Sequence, residues 1–435
     1  MKYLRRPSAV IFLLCVIVIT VVGVALLRET YGHAILASKN APLEVTAAQI
    51  ERGEYLARIG NCAGCHTARG GQAYAGGRAV DTPFGAIYAS NLTPDKDTGI
   101  GAWTSGAFYR AMHEGRSRDG RLLYPAFPYP NITLTTREDS DAIFAYLMNR
   151  VKPLSQANTA NTLSFPFNNQ FALAAWRTLY FKRGEFQPEP SQSADWNRGA
   201  YLVQGLAHCG ACHSTRNALG APVAGHAYDG AMMPGNDWYA PSLTAASEAS
   251  VADWSLTEIT AWLKNGATPK ASALGPMAEV IFQSTRYAND ADLLAMATYL
   301  KALPSVEPSR ASSAPSKLIT QHKSDGVGMA LYAKHCANCH GKNGEGKTDA
   351  FPALAGNRAM LMANATNVIS IIIKGGFAPA TSGNPRPYGM PPYYHLLSDT
   401  DIAALATHIR DSWGNTGSAV TELDMVKYRN GLRGQ

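Results

Sequence analysis

Apolar positions in this chain recur at helical rather than alternating spacing. Ile143, Tyr146 and Leu147 follow an acidic start at Asp139, the pattern of a capped helix with one buried face. The spacing predicts such helices over Asp139 to Met148, Asp290 to Leu303 and Ser398 to Ile409. Thr46-Ala47-Ala48-Gln49 reads as a capping box that opens another helix. The start of that helix, Arg52-Gly53-Glu54-Tyr55-Leu56, returns as Arg198-Gly199-Ala200-Tyr201-Leu202. A looser copy is Gly328-Met329-Ala330-Leu331-Tyr332, so the chain carries an internal repeat of long period. Within each repeat come a Gly-rich loop and a short signal: Asn91-Leu92-Thr93, Pro241-Ser242-Leu243 or Pro352-Ala353-Leu354. A middle helix follows, opening near Trp103 and Trp254 in the first two repeats. It ends at Gly115, Gly266 and Gly375, which suit helix C-caps. No sustained strand pattern is present, so the expected class is all-α.

The remaining stretches set the boundaries. Lys2, Arg5 and Arg6 precede an uncharged run from Ala9 to Leu27. At 1.5 Å per residue that run reaches about 28 Å, near the thickness of a bilayer core. Residues 1–30 are therefore expected to form a single-pass transmembrane anchor or an uncleaved signal. The remainder would lie on the periplasmic face of the inner membrane. A cleaved signal peptide competes, with Gly32-His33-Ala34 as the nearest cleavage candidate. The repeats give domains at 44–152, 194–304 and 325–415. Residues 153–193 form a connector whose amphipathic aromatic segment (Phe171, Leu173, Trp176, Leu179, Tyr180, Phe181) either packs between the first two domains or meets a membrane or partner. Residues 305–324 read as a flexible linker, and 416–435 as a peripheral polar tail.

Composition changes the picture through cysteine and histidine. Six of the seven cysteines fall in three pentapeptides: Cys62-Ala63-Gly64-Cys65-His66, Cys209-Gly210-Ala211-Cys212-His213 and Cys336-Ala337-Asn338-Cys339-His340. C-x-x-C-H is the attachment signature of c-type haem. Both thiols add to the vinyl groups of one porphyrin, and the adjacent histidine takes one face of the iron. A tetrahedral zinc site would need further ligands nearby. A disulfide pair would leave the following histidine unexplained. The expected cofactors are three covalently bound haems c, on three tandem class I cytochrome c-like domains. Cys15 is a bystander, and no cysteine cluster remains for an iron–sulfur centre. With 39 basic and 32 acidic side chains the net charge of +7 is spread out, which excludes a nucleic-acid stripe. No G-x-G-x-x-G turn opens a βαβ unit, which excludes a dinucleotide enzyme.

The opposite face of a cytochrome c iron commonly takes a methionine. Met277 lies 11 residues beyond Gly266 and Met390 lies 15 beyond Gly375; both are expected as axial ligands, on loops after the middle helix. In the first repeat Phe127 occupies that position, 12 residues beyond Gly115. Met112 and His113 sit one turn early. The first haem is therefore five-coordinate, bis-histidine or ligated from elsewhere. His208 and His335 read as supporting or surface residues, not ligands.

The three C-x-x-C-H sites, Ser90-Asn91-Leu92-Thr93-Pro94-Asp95 with Thr98-Gly99-Ile100-Gly101, Arg118-Asp119-Gly120, Tyr124-Pro125-Ala126 and Phe165-Pro166-Phe167-Asn168 resemble the triheme cytochrome c subunit of membrane-bound alcohol and aldehyde dehydrogenase complexes of acetic acid bacteria. The resemblance implies an electron-transfer subunit, itself non-catalytic. It would pass electrons from a catalytic dehydrogenase subunit, of molybdenum or quinoprotein type and with or without a small iron–sulfur subunit, to ubiquinone in the membrane. Alcohol-type members of that family carry methionine at the position of Phe127 and a cleaved signal peptide. Departure on both counts favours an aldehyde-type partner. The competing reading is a peroxidase-like haem enzyme that uses an open site on the first haem.

Overall fold

The computed structural model describes residues 45–305 and 326–433 apart from Pro234, Asn236 and Asp349, together with Val16, Thr20, Gly23 and Val24. All but the first residue of the linker at 305–324, Cys15 and most of the Ala9–Leu27 run lie outside the described residues.

Helix α1 (Ala47–Ile59) is capped by Thr46, whose hydroxyl accepts from the amide of Gln49 at 3.1 Å. Its partner in the first repeat is α2 (Arg137–Arg150), capped by Thr136. The two cross at Gly53, where a Cβ would run into the carbonyl oxygen of Ala142, so only glycine permits that approach. The second repeat pairs α3 (Ala194–Ala200), continued by a π-helical turn at Tyr201–Leu206, with α4 (Asp290–Lys301). The third pairs α5 (Gly326–His335) with α6 (Asp399–Asp411). Gly199 and Gly328 repeat the close crossing, against the carbonyls of Ala295 and Ala404.

The middle helices are Ser105–Glu114, Leu256–Asn265 and Thr366–Lys374. Gly115 and Gly266 end the first two in left-handed conformation, at φ 59° and 73°. Gly375 also has positive φ, 64°, but a different ψ, and a Cβ there would strike the Met390 carbonyl. The all-α expectation needs one amendment. Among the described residues four small antiparallel two-stranded sheets punctuate the loops, the longest pairing Ala79–Thr82 with Gly85–Tyr88. Strands of two to four residues are too short to leave a periodic signal.

One apolar core runs through the first two repeats, from Leu56, Ile59 and Leu147 to Leu202, Leu206 and Met296. A separate core serves the third repeat, around Tyr332, Ile369, Ile372, Ile402 and Leu405. The tail expected to be peripheral contributes to it. Helix Glu422–Arg433 buries Met425 and Tyr428, and Arg429 pairs with Asp399 at 2.8 Å. Two apolar side chains three residues apart, diluted by the charges of Glu422, Asp424, Lys427, Arg429 and Arg433, made this amphipathic face hard to see in sequence.

The connector runs over the first repeat. Asn158 and Asn161 accept from the amides of Asn91 and Tyr88 at 2.7 and 2.9 Å. Its helix, Gln170–Tyr180, buries Leu173, Ala174 and Arg177 near Leu122, and Trp176 donates to the Leu219 carbonyl of the second repeat at 3.0 Å. This is the packing role, bridging the first two repeats.

The expected single-pass anchor, and the inner-membrane placement drawn from it, require correction. Among the described residues no helix is long and apolar enough to cross a membrane. A nineteen-residue apolar run has the length a span would need, but length alone does not establish one.

Candidate haem sites

Each C-x-x-C-H pentapeptide begins where its repeat's first helix stops. Asn61 and His208 immediately precede Cys62 and Cys209, and both take positive φ, 50° and 40°. The reversal starts a new helical turn, Cys62–His66 in the first repeat and Gly210–His213 in the second. In the third repeat Ala337–His340 follows α5 directly. Two thiols one turn apart face the same side. Burial, compounded by the paired thiol, pushes Cys62 and Cys209 up to about 12 and Cys336 up to about 11. None of the six cysteines is disulfide-bonded.

The three histidines share one arrangement. The Nδ1–H of His66 donates to the Ser90 carbonyl at 2.7 Å, that of His213 to Pro241 at 2.7 Å, and that of His340 to Pro352 at 2.9 Å. This bond fixes the tautomer and leaves Nε2 as a free lone pair. Burial lowers the pKa of all three rings, so each is held neutral, the form that binds iron. The acceptors sit 24, 28 and 12 residues downstream. Pro241 and Pro352 are the first residues of the short signals noted in the second and third repeats, and Ser90 immediately precedes Asn91, which opens that of the first.

In the second repeat Cys209, Cys212, His213 and Met277 line one cavity of about 230 Å³. Met277 lies not on a loop but in the first turn of helix Gly275–Gln283, beside Ala273 and Ile281. Met390 ends the strand Gly389–Met390, paired with Gly376–Phe377 just past the middle helix, and packs on the core that holds Cys336. Phe127 packs on the core that includes Cys62, with Tyr129 at 6.4 Å between ring centres. Met112 is buried in the same core. His113 is buried and stacked on Tyr109 at 4.9 Å, and its Nδ1 has no hydrogen-bond partner.

Sequence reasoning missed two arginines. Arg78 donates to the Gly64 carbonyl and Arg216 to the Ala211 carbonyl, each at 2.5 Å. Both carbonyls belong to the residue before the second haem cysteine. Arg78 also pairs with Glu279, two residues beyond Met277, which ties the first attachment turn to the helix bearing the second methionine. Leu206 packs against Gly60, where an added Cβ would meet its Cδ1 at 3.1 Å, so the first two attachment turns adjoin. Cys65 is near enough to Cys212 to add to the burial that raises its pKa. The only signal in sequence was that both arginines follow a C-x-x-C-H.

Among the described residues no group of three or more His, Cys, Asp or Glu is arranged to hold a metal ion. Two thiols and one neutral imidazole per site suit a macrocycle that brings its own iron and takes two thioether links. That donor set, on crossed helices joined at glycine, makes the molecule a c-type cytochrome. The cytochrome c family model matches residues 50–150 and 327–413. The chain is 38% identical to an alcohol dehydrogenase (quinone) cytochrome c subunit of Gluconacetobacter polyoxogenes, over 89% of this chain and 85% of that one. It is 34% identical to a gluconate 2-dehydrogenase cytochrome c subunit of Pantoea cypripedii, over 93% and 94%. It is also 36% identical to a fructose dehydrogenase cytochrome subunit of Gluconobacter japonicus, over 91% and 86%. The chain belongs to the family of dehydrogenase cytochrome c subunits, whose cytochrome c domains hold haem c covalently.

Proposed function

We propose that this chain is the electron-transfer subunit of a dehydrogenase complex and carries three haems c. The observation that carries the count is the thrice-repeated bond from a C-x-x-C-H histidine Nδ1–H to a downstream carbonyl, which prepares three separate Nε2 atoms. Cys62 and Cys65, Cys209 and Cys212, and Cys336 and Cys339 would hold the porphyrins; His66, His213 and His340 would take the near face of each iron. Met277 and Met390 are the proposed far-face ligands of the second and third haems. Each haem supplies a one-electron couple. The protein sets its ligation, charge and exclusion of water. Mass spectrometry of the denatured holoprotein counts covalent haems: three supports the reading, and two or fewer overturns it.

A catalytic dehydrogenase subunit is the proposed donor and a quinone the proposed acceptor. The aldehyde-type partner remains the finer proposal and rests on Phe127 alone. Co-purification tests it: a catalytic subunit carrying pyrroloquinoline quinone and oxidising alcohols would sink it. The haem-enzyme reading is not favoured, because the two carboxylates nearest the first-repeat loop in sequence are already paired. Glu114 pairs with Arg183 at 2.8 Å and Asp119 with Arg121 at 3.4 Å, so neither carboxylate is poised for proton transfer at the first haem.

A further inference from the structure

The cavity of the second repeat has one wall from elsewhere in the chain. Arg358, Met362 and Asn367 of the third repeat line it, together with Cys212, His213 and Met277. Arg358 is fixed from several sides. Its amide donates to the Lys270 carbonyl at 2.9 Å. Its Nη1 donates to the carbonyls of Ala246 and Ser250 at 3.0 and 3.1 Å, and its Nη2 to both carboxylate oxygens of Asp253 at 2.9 Å. The arginine side chain is 15% exposed, whereas Asp253 is 66% exposed. The guanidinium also lies 5.9 Å from the ring centre of Trp254.

Two neutral donors line the same cavity unused. The indole N–H groups of Trp254 and Trp262 are buried and have no hydrogen-bond partner within the protein. Such an orphaned donor is destabilising unless something in the cavity accepts from it. A haem carries two carboxylates, which are strong acceptors and anionic. A cavity wall with one cation and two idle N–H donors has the chemistry that such a group requires.

We propose that Arg358 is a haem-positioning residue acting across repeats: the third repeat lends its charge to the carboxylate-bearing edge of the haem in the second, beside the Trp254 and Trp262 donors. This rests on the haem reading above for the second site only. The docked third repeat then raises that haem's potential, because a fixed cation favours the less positive, reduced state. Asp253 tempers the effect by neutralising part of that charge from the solvent side.

Spectroelectrochemical titration of the holoprotein tests this. Arg358→Gln should lower one of the resolved potentials and leave the others in place, by a tenfold or greater change in the reduction equilibrium, which is 59 mV for one electron. Arg358→Lys should retain most of the wild-type value. Asp253→Asn, a surface change, should move the same wave upward. A Met277→His substitution marks the wave of the second haem, and the arginine effect should fall on that wave. Opposite signs separate a charge effect from loosening of the third repeat, which would move both variants alike. If Arg358→Gln shifts no wave, shifts an unmarked wave, or shifts in the same direction as Asp253→Asn, the proposal is overturned. A haem count below three would overturn the triheme reading but not this one, provided the marked wave is present.

Discussion

At the scale of single residues, the chemistry divides into what a pentapeptide states and what the fold must add. Cysteine spacing and the following histidine were legible because one helical turn carries all three groups. The carbonyls that orient the histidines were not, because a backbone acceptor leaves no residue signature and its distance along the chain varies from 12 to 28. The arginines at Gly64 and Ala211 were invisible for the same reason. Phe127 is the exception by sequence count from the middle helix, since a ring that cannot ligate iron holds the position where the other repeats have the proposed ligands Met277 and Met390. Phe127→Met should add the optical signature of methionine ligation to the reduced first haem; an unchanged coordination spectrum would show that residue 127 does not face the iron.

At the scale of elements, capping and crossing carry the argument. Thr136, Asn289 and Ser398 cap the last helix of each repeat as the acidic starts predicted, with boundaries shifted by no more than two residues. The amphipathic pattern located these helices but not what they touch. Gly199 shows why. Its neighbours in sequence are ordinary helix formers, yet a Cβ there would meet the backbone of Ala295. Gly199→Ala should therefore destabilise by about 2–3 kcal/mol rather than stabilise as alanine does in an open helix, read as a lowered thermal midpoint. The connector helix was ambiguous in sequence because aromatic bulk with flanking cations fits an interface of either kind. Burial of Leu173 and Ala174 with the Trp176 bond to Leu219 shows one face packed as a bridge, while Phe171 and Leu179 on the same helix stay exposed.

At the scale of the molecule, the first two repeats exchange side chains. Arg52 donates to Asp139 within the first repeat at 2.8 Å, and the Tyr201 hydroxyl of the second repeat donates to the same carboxylate at 2.6 Å. Reciprocally, Arg198 donates to Asp292 at 2.7 Å and Tyr55 of the first repeat donates to it at 2.6 Å. The shared Arg-Gly-x-Tyr sequence was visible as a repeat, but not that its tyrosine serves the other copy. The third repeat has Val327 and Ala330 at these positions, and Asp401 turns back to its own cap, Ser398, at 2.7 Å. It docks instead through Lys374 with Asp237 and Asn367 with Tyr239. Tyr55→Phe and Tyr201→Phe should each cost about 1.5 kcal/mol in denaturant titration, and the double variant should depart from additivity because Arg198, which pairs with Asp292, also lies over the Tyr201 ring.

Protonation follows from the same pairing. Burial alone would raise the Asp292 pKa, but Arg198 and then Tyr55 outweigh it and hold the carboxyl below its usual range. A depressed carboxylate stabilises the fold fully above its unfolded value of about 3.9 and loses that contribution as pH falls through the folded value. Stability should thus decline on the acid side below about pH 4. Asp292→Asn should flatten that limb in a pH series of urea midpoints; an unaltered acid limb would assign the loss to other groups.

The exchanged tyrosines also impose an order in time. Tyr55 meets Asp292 across 237 residues, so the first repeat cannot complete its contacts while it emerges from synthesis. It must wait, with a hydroxyl and part of an apolar face unmatched, until the last helix of the second repeat has been made. The two then close together as one cooperative block, and chains truncated between them should be cleared by proteases instead of accumulating as a half-length cytochrome.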